Sequence, residues 1–488
     1  MKLNFGLRTL FASVAAFALV ACATFRAEDA ESVLRRADQA MGGATLKTIR
    51  YAGSGTGGTF GQAYRPGMAW PKINYSSYSR LADYENSALR DEAARSRAEP
   101  TGGGAVPLMG SGEQRTTALL RGTDAWTMVG PAPLPAPRAV DASIHDLWTT
   151  PHGVIKAALK NKGTLAMRNE GGKTVVSFIE AGRFAATAWI NADNLVERVD
   201  SRLPHPVLGD TAVETTFSDY RDFAGVKFPT RIRQSQGGYP VLDLEVKEVQ
   251  PNVASGIEVP ALVSAAAERV TAEKAADGVW YIAGGSHHSV AIEMKDHVIV
   301  VESPLFDGRA SAMIAEVKKL APGKAIRYVV NSHHHFDHAG GLRTAAAEGA
   351  TLVTSDLAKP WFERVLANPN RIRPDAFQKS GRRATVIGVD GKRVLTDGAR
   401  TVEVHLIEGS VHAQGFLMVY LPKEKLLIEA DAYTPGPPKA APPAKPNDNH
   451  VNLVQNIERL KLSVEHILPL HGRMVPLADL YTAIGRKP

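Results

Sequence analysis

Alternation of apolar and polar positions dominates the first half of the chain. In Pro240–Val249, Leu242, Leu244 and Val246 alternate with Asp243, Glu245 and Lys247, the mark of a strand with one buried and one wet face. Thr187–Val199 predicts two strands around an Asn-Ala-Asp-Asn turn. Helical spacing is confined to short stretches. Val33, Leu34, Ala37 and Met41 predict a helix from Glu28 stopped by Gly42-Gly43. A second helix, over 139–159, is interrupted by Pro151 and Gly153. Between 93 and 138 the abundance of Gly, Pro and small residues predicts long loops. Residues 28–265 therefore read as a mainly antiparallel β domain of α+β type. It carries no catalytic constellation: His145, His152 and His205 are scattered and read as surface or core histidines.

Near Gly278 the pattern changes. Two apolar runs, GVWYIAGG and SVAIEMKDHVIVVESP, predict buried strands that turn at Lys295-Asp296. A helix with Met313, Ile314, Val317 and Leu320 on one face follows, ended by Pro322-Gly323. Further strands are expected at AIRYVVN, ATLVTS, TVEVHLI, FLMVYL and KLLIEA. Buried strands alternating with helices predict an α/β domain over 275–488, with helices covering both faces of its sheets.

The chemistry concentrates in Val329–Gly341, VVNSHHHFDHAGG. Residues two apart in an extended segment point the same way, so His333 and His335 can grip one ion together. Asp337 and His338 face a second centre only if the chain turns, as the following glycines permit. Histidine with carboxylate suits Zn(II). His334 lies on the opposite side of the alternation. His287 and His288 fall in a hairpin loop and read as solvent-facing, while His405, His450 and His466 read as ordinary surface or core residues.

The His-x-His-x-Asp-His run at a strand end resembles the metallo-β-lactamase superfamily. The resemblance implies an αββα sandwich and a ligand set found in order along the chain. His333, His335 and His412 would hold one metal, and Asp337, His338 and His471 a second, with Asp431 bridging. Val411 stands where the family usually has glycine, which alters the local turn before His412. Two Zn(II) per chain are implied, with iron or manganese also compatible with these donors. Such ions, on the order of 3.5–4 Å apart, lower the pKa of a bridging water to about 7 and supply hydroxide. Asp337 and Asp431 are the catalytic carboxylates in this scheme, Asp337 orienting the nucleophile and relaying a proton.

Asp rather than Cys at 431 is similar to the glyoxalase II, lactonase and phosphodiesterase branches. The expected reaction is thus hydrolysis of an ester, lactone, thioester or phosphoester in a small-molecule substrate. The alternatives are amide hydrolysis of the β-lactamase type, a mononuclear iron enzyme like the persulfide dioxygenases, and an envelope ligand-binding protein with a subsidiary metal domain. The last draws on Thr215–Ile232, which resembles strands of periplasmic lipoprotein-carrier half-barrels. A Pro-rich stretch, Thr434–Pro446, lies beside the expected site as a lid or an insertion, flanked by Tyr433 and near Arg473.

The 488 residues include one cysteine, Cys22, at the end of a segment with Lys2, Arg8 and the apolar run Leu10–Ala21. Residues 1–22 read as an export signal, and LVAC resembles a bacterial lipobox. The expectation is a periplasmic protein, with lipidated Cys22 as a means of membrane attachment, and one without intrachain disulfides. A net charge of +7 without a long basic block predicts no nucleic-acid partner.

Overall fold

The computed structural model describes residues 29–98, 103–104, 112–438 and 441–486. The expected export signal, residues 1–22 with Cys22, lies outside the described residues.

Thirteen antiparallel strands form one sheet from Thr48 to Pro251. The first six and the last seven strands are each a meander. The two halves join where the first strand pairs with the last, Ile49 opposite Pro251 and Gly57 opposite Leu242. The helices Ala30–Ala40, Val140–Trp148 and Pro151–Lys160 share a core with this sheet, in which Leu34, Leu147, Val154 and Ile155 meet Phe178 and Phe228. Asp29 caps the first helix by accepting from Ser32 N. Pro151 does not break a long helix but opens the third, where its missing N–H costs nothing and Thr150 caps Gly153 N. The alternation at Leu244 and Val246 is that of a strand, Tyr239–Pro251, with both side chains buried.

The expected long loops are corrected at both ends of 93–138, while residues 99–102 and 105–111 lie outside the described residues. Strands run to Arg97 and then over Gln114–Arg121, Asp124–Val129 and Ala132–Pro135. Their turns fall at Gly122 and Gly130, both at positive φ. Gly122 and Gly130, which read as loop composition, make hairpin turns between short strands.

The C-terminal unit is an αββα sandwich. A seven-stranded sheet spans Thr271–Ala276 to Val386–Val389, antiparallel over its first four strands and parallel thereafter. A six-stranded sheet follows, from Lys392–Thr396 to Val475–Pro476. Ile292, Ile299, Val330 and Val353 of the first sheet share one core with Val404, Val419, Ile428 and Ile467 of the second. Helices cover the outer faces: Asp307–Leu320 supplies Met313 and Val317 to the first sheet, and Asp448–Arg459 supplies Leu453 and Ile457 to the second. Among the described residues no helix is long and apolar enough to cross a membrane.

The two units meet at the segment between the first two strands of the large sheet. Phe60 and Trp70 pack edge-on against Phe336, which follows the HHH run, at ring-centroid distances of 5.2 and 5.5 Å. His205 joins this cluster at 4.9 Å from Phe336. Its burial pushes its pKa down to about 3.

Candidate metal centre

Every candidate residue sits at or just beyond a strand end, where the loops of the sandwich converge. His333–His338 follow the strand Ala325–Val330 and enter a short helix, Phe336–Ala339. Gly340 makes the turn possible: a Cβ there would lie 1.8 Å from the carbonyl oxygen of Leu305. His412 lies between the strands Thr401–Leu406 and Leu417–Leu421, Asp431 just after Leu426–Glu429, and His471 just after His466–Pro469. Although Val411 is not a glycine, the turn forms earlier, with Gly409 at φ +69 and Ser410 Oγ accepting from His412 N.

Two donor groups result, one of His333, His335, His412 and Asp431, the other of His287, His338 and His471. Within the first, His333 Nε2 is 2.8 Å from His335 Nδ1 and 3.1 Å from His412 Nε2. In the second, His338 and His471 bring their Nε2 atoms within 3.3 Å. Asp431 stands between the groups. Its Oδ2 is 2.7 Å from His412 and 3.2 Å from His338, and its Oδ1 is 2.7 Å from His471.

A proton can bridge one pair of imidazole nitrogens, but it cannot satisfy three that converge on one point. Lone pairs so arranged fit a cation, and the donors are those of a borderline-soft divalent metal. Burial, followed by the neighbouring imidazoles, holds His333 and His335 well below the usual histidine pKa, in the neutral form a ligand needs. Burial pushes the Asp431 carboxyl up, but the histidines around it outweigh that and keep it well below the usual range.

The far side of each ring is also held. His333 Nδ1 meets Ser332 Oγ at 2.9 Å, His335 Nε2 donates to Ala63 O at 2.9 Å, and His471 Nδ1 donates to Ser286 O at 2.9 Å. His338 Nδ1 donates at 2.8 Å to Oε2 of Glu302, a wholly buried carboxylate whose Oε1 accepts from Ser332 N. Such partners fix tautomer and ring orientation. Glu302 itself has φ +66, unusual for a side chain of its size.

Of the seven residues expected from the sequence, six fall in these two donor groups. Asp337 adjoins them: its Oδ1 accepts from Gln62 Nε2 at 2.8 Å, and its Oδ2 lies 3.4 Å from His287 Nε2. His287 and His288 are not solvent-facing, which corrects the sequence expectation, for both are buried. The hairpin loop folds inward, with Arg309 donating to His287 O and His288 N donating to Leu470 O. Sequence reasoning also missed Glu302, Gln62 and Ala63. Glu302, ending a buried strand, was open to notice, whereas nothing in the sequence marks the other two. His334 points away and donates to Ala63 O at 2.7 Å. His405, paired with Glu403, and His450 and His466 belong to neither donor group.

The metallo-beta-lactamase superfamily model matches residues 282–473, and the chain carries a domain of that superfamily, a group of metal-dependent hydrolases and related enzymes. The subunit alpha of 2,4-dinitroanisole O-demethylase from Nocardioides sp. (strain JS1661) is 27% identical over 169 residues, 34% of this chain. The match spans about half of that relative's length, 48%. Among solved structures, a metallo-beta-lactamase from Pontibacter korlensis aligns at 16% identity with a TM-score of 0.35, covering 44% of this chain and 98% of the other. The DIM-1 metallo-beta-lactamase exposed to ceftazidime aligns at 14% identity with a TM-score of 0.34, covering 44% and 95%.

Proposed function

We propose that the chain is an exported hydrolase with two zinc ions, acting on an ester, lactone, thioester or phosphoester of a small molecule. The observation that carries this reading is the position of Asp431, whose two oxygens each meet a histidine of a different donor group. His333, His335 and His412 would hold one ion; His338, His471 and Asp337 the other; Asp431 would bridge. When bound, such a pair supplies a nucleophilic hydroxide near neutral pH and positive charge for an oxyanion.

The chain's own groups have separable tasks. Asp431, Asp337 and His471 keep 12, 12 and 18% of their side chains exposed while the other histidines are closed off, so substrate approaches from their side. Asp337 orients the attacking group and carries its proton, and Gln62 fixes that carboxylate. Glu302 and the backbone of Ala63 hold His338 and His335 in the orientation their lone pairs require. Tyr433 and Arg473, each two residues from a ligand, line a cavity of about 390 Å³ with Gly436, Pro437 and Pro442 of the Pro-rich segment. This cavity is our candidate for the non-reacting part of the substrate.

A second reading comes from the relative named an O-demethylase of 2,4-dinitroanisole. It extends the candidate bonds to an activated aryl methyl ether. A nitrophenyl ester, a lactone, a phosphodiester, a chromogenic β-lactam and a nitroaryl methyl ether, offered to the purified mature chain with and without chelator, separate these bonds. Chelator-sensitive turnover of an ester, lactone or phosphodiester supports the first reading. Turnover of the ether alone moves it to the second, and turnover of none opposes both. Residence outside the cytoplasm, by a leader in residues 1–22, is part of the same proposal and is tested by fractionating cells that express the chain.

A further inference from the structure

We propose that His287 is a ligand of the second metal, so that this site is built on three imidazoles, those of His287, His338 and His471; the proposal deepens the two-metal reading and rests on it. His287 belongs to the loop between the strands Val279–Ala283 and Ser289–Glu293. A histidine at a hairpin tip normally faces water. This one is 5% exposed, and its ring centroid lies 4.1 Å from that of His471 and 5.0 Å from that of His338.

Both ring nitrogens can be accounted for. Nδ1 is 2.8 Å from Ser286 Oγ, a hydroxyl able to accept its proton, which leaves the lone pair on Nε2. Nε2 is buried, and among the described residues it makes no hydrogen bond of good geometry. His287, His338 and His471 each offer a ring nitrogen within 4.8 Å of the others, and Asp337 Oδ2 lies 3.4 Å from His287 Nε2. A buried nitrogen with nothing nearer than a carboxylate oxygen at 3.4 Å is poorly satisfied, and three imidazole lone pairs facing one point, with a carboxylate beside them, fit a cation.

The loop is built to hold this arrangement. Ser286 serves both rings, through its hydroxyl at His287 and its carbonyl at His471. The wholly buried Arg309 donates to His287 O, and His288 N donates to Leu470 O beside His471. His288 spends its own Nδ1 on Gly284 N and is thereby excluded as a ligand. Each metal would then see three imidazoles and share Asp431, with Asp337 beside the second, a donor set that favours zinc, iron or nickel over magnesium or calcium.

The test uses the full chain loaded with Co(II). Each imidazole bound to the paramagnetic ion contributes one strongly shifted, exchangeable N–H resonance to the proton spectrum. The proposal predicts six such resonances, from His287, His338, His471, His333, His335 and His412. His287→Gln should show five and lose its second Co(II) to a chelator at concentrations at least about tenfold lower. Five resonances in the unsubstituted chain, or six in His287→Gln with unchanged retention of both ions, would overturn it. The count in the unsubstituted chain decides the matter even if the variant does not fold. An unsubstituted chain that takes up fewer than two Co(II) would instead overturn the two-metal reading itself.

Discussion

His335 Nε2 lies 2.9 Å from the carbonyl oxygen of Ala63, an atom that can only accept, so the ring donates there and turns the lone pair of Nδ1 toward His333 and His412. The backbone of the N-terminal unit thus sets the tautomer of a histidine in the C-terminal unit. Domains that only adjoin one another have no need of such a contact. It gives the N-terminal sheet a role in the site that its scattered histidines did not indicate.

Gly61 controls that contact. It has φ +81, and a Cβ there would lie 2.4 Å from the Phe336 ring, which is wedged among Phe60, Trp70 and His205. Gly61→Ala should therefore lift the segment that carries Ala63 and weaken metal retention at the first site about tenfold or more. Chelator competition followed by metal analysis checks this; retention equal to that of the unsubstituted chain would count against the role given to Ala63.

Asp337 and Gln62 form a graded pair. Asp337→Asn should cost about 100-fold or more in turnover while the first-site metal stays, because the proton acceptor is gone and His333, His335 and His412 are untouched. Gln62→Ala leaves the carboxylate in place but frees it to rotate, and about a tenfold loss is expected. Steady-state kinetics with metal content measured on the same samples distinguishes the two, and equal losses would show that Gln62 does more than hold Asp337.

Glu302→Ala removes the acceptor of two close buried donors, His338 Nδ1–H and the N–H of Ser332, and of a longer contact from Asn331 Nδ2 at 3.5 Å. The expected cost is about 3 kcal/mol of stability in the metal-free protein, together with about a 10- to 100-fold loss of second-site affinity. Glu302→Gln, which can still accept from one of the two, should fall between. Denaturant unfolding of the metal-free proteins and chelator competition of the loaded ones measure the two effects separately.

The N-terminal core carries its own acid sensitivity. His152 is buried and stacked parallel to Phe228, and burial, then Lys156, push its pKa down to about 4, only partly offset by its hydrogen bond to Met41 O. Below pH about 6.5 the unfolded chain takes a proton that the folded ring refuses. Stability therefore falls as pH drops from about 6.5 to about 4, by about 3 kcal/mol in all, and levels off below. Met41 O also accepts from Lys227 N, so His152→Leu leaves that carbonyl partnered. The variant should lose about 1.4 kcal/mol per pH unit from the acid slope within this window. Unfolding measured at several pH values checks it, and an unchanged slope would contradict the assignment.

The sequence was most legible where one local pattern decides the outcome. Alternation at Leu242, Leu244 and Val246 carries the register of a half-buried strand, and the run from His333 to His338 carries its chemistry in six consecutive residues. His412, Asp431 and His471 were legible because each follows an apolar strand. His287 was not, since a hairpin tip looks the same in sequence whether it folds outward or, as here, is drawn inward by Arg309 and Leu470. Gln62 and Ala63 reach the centre from 270 or more positions away along the chain, a distance over which no spacing rule operates. Over 114–138 composition misled, because glycine marks a tight hairpin as readily as a long loop.

The central claim, that Asp431 bridges two metal ions, is tested most directly by titrating the metal-free chain with zinc and measuring bound metal at each step, beside Asp431→Ala. The account predicts close to two zinc ions per chain for the unsubstituted protein and loss of tight binding at both sites in the variant. Uptake of one ion, or of none, by the unsubstituted chain, or two ions held unchanged by Asp431→Ala, would contradict it.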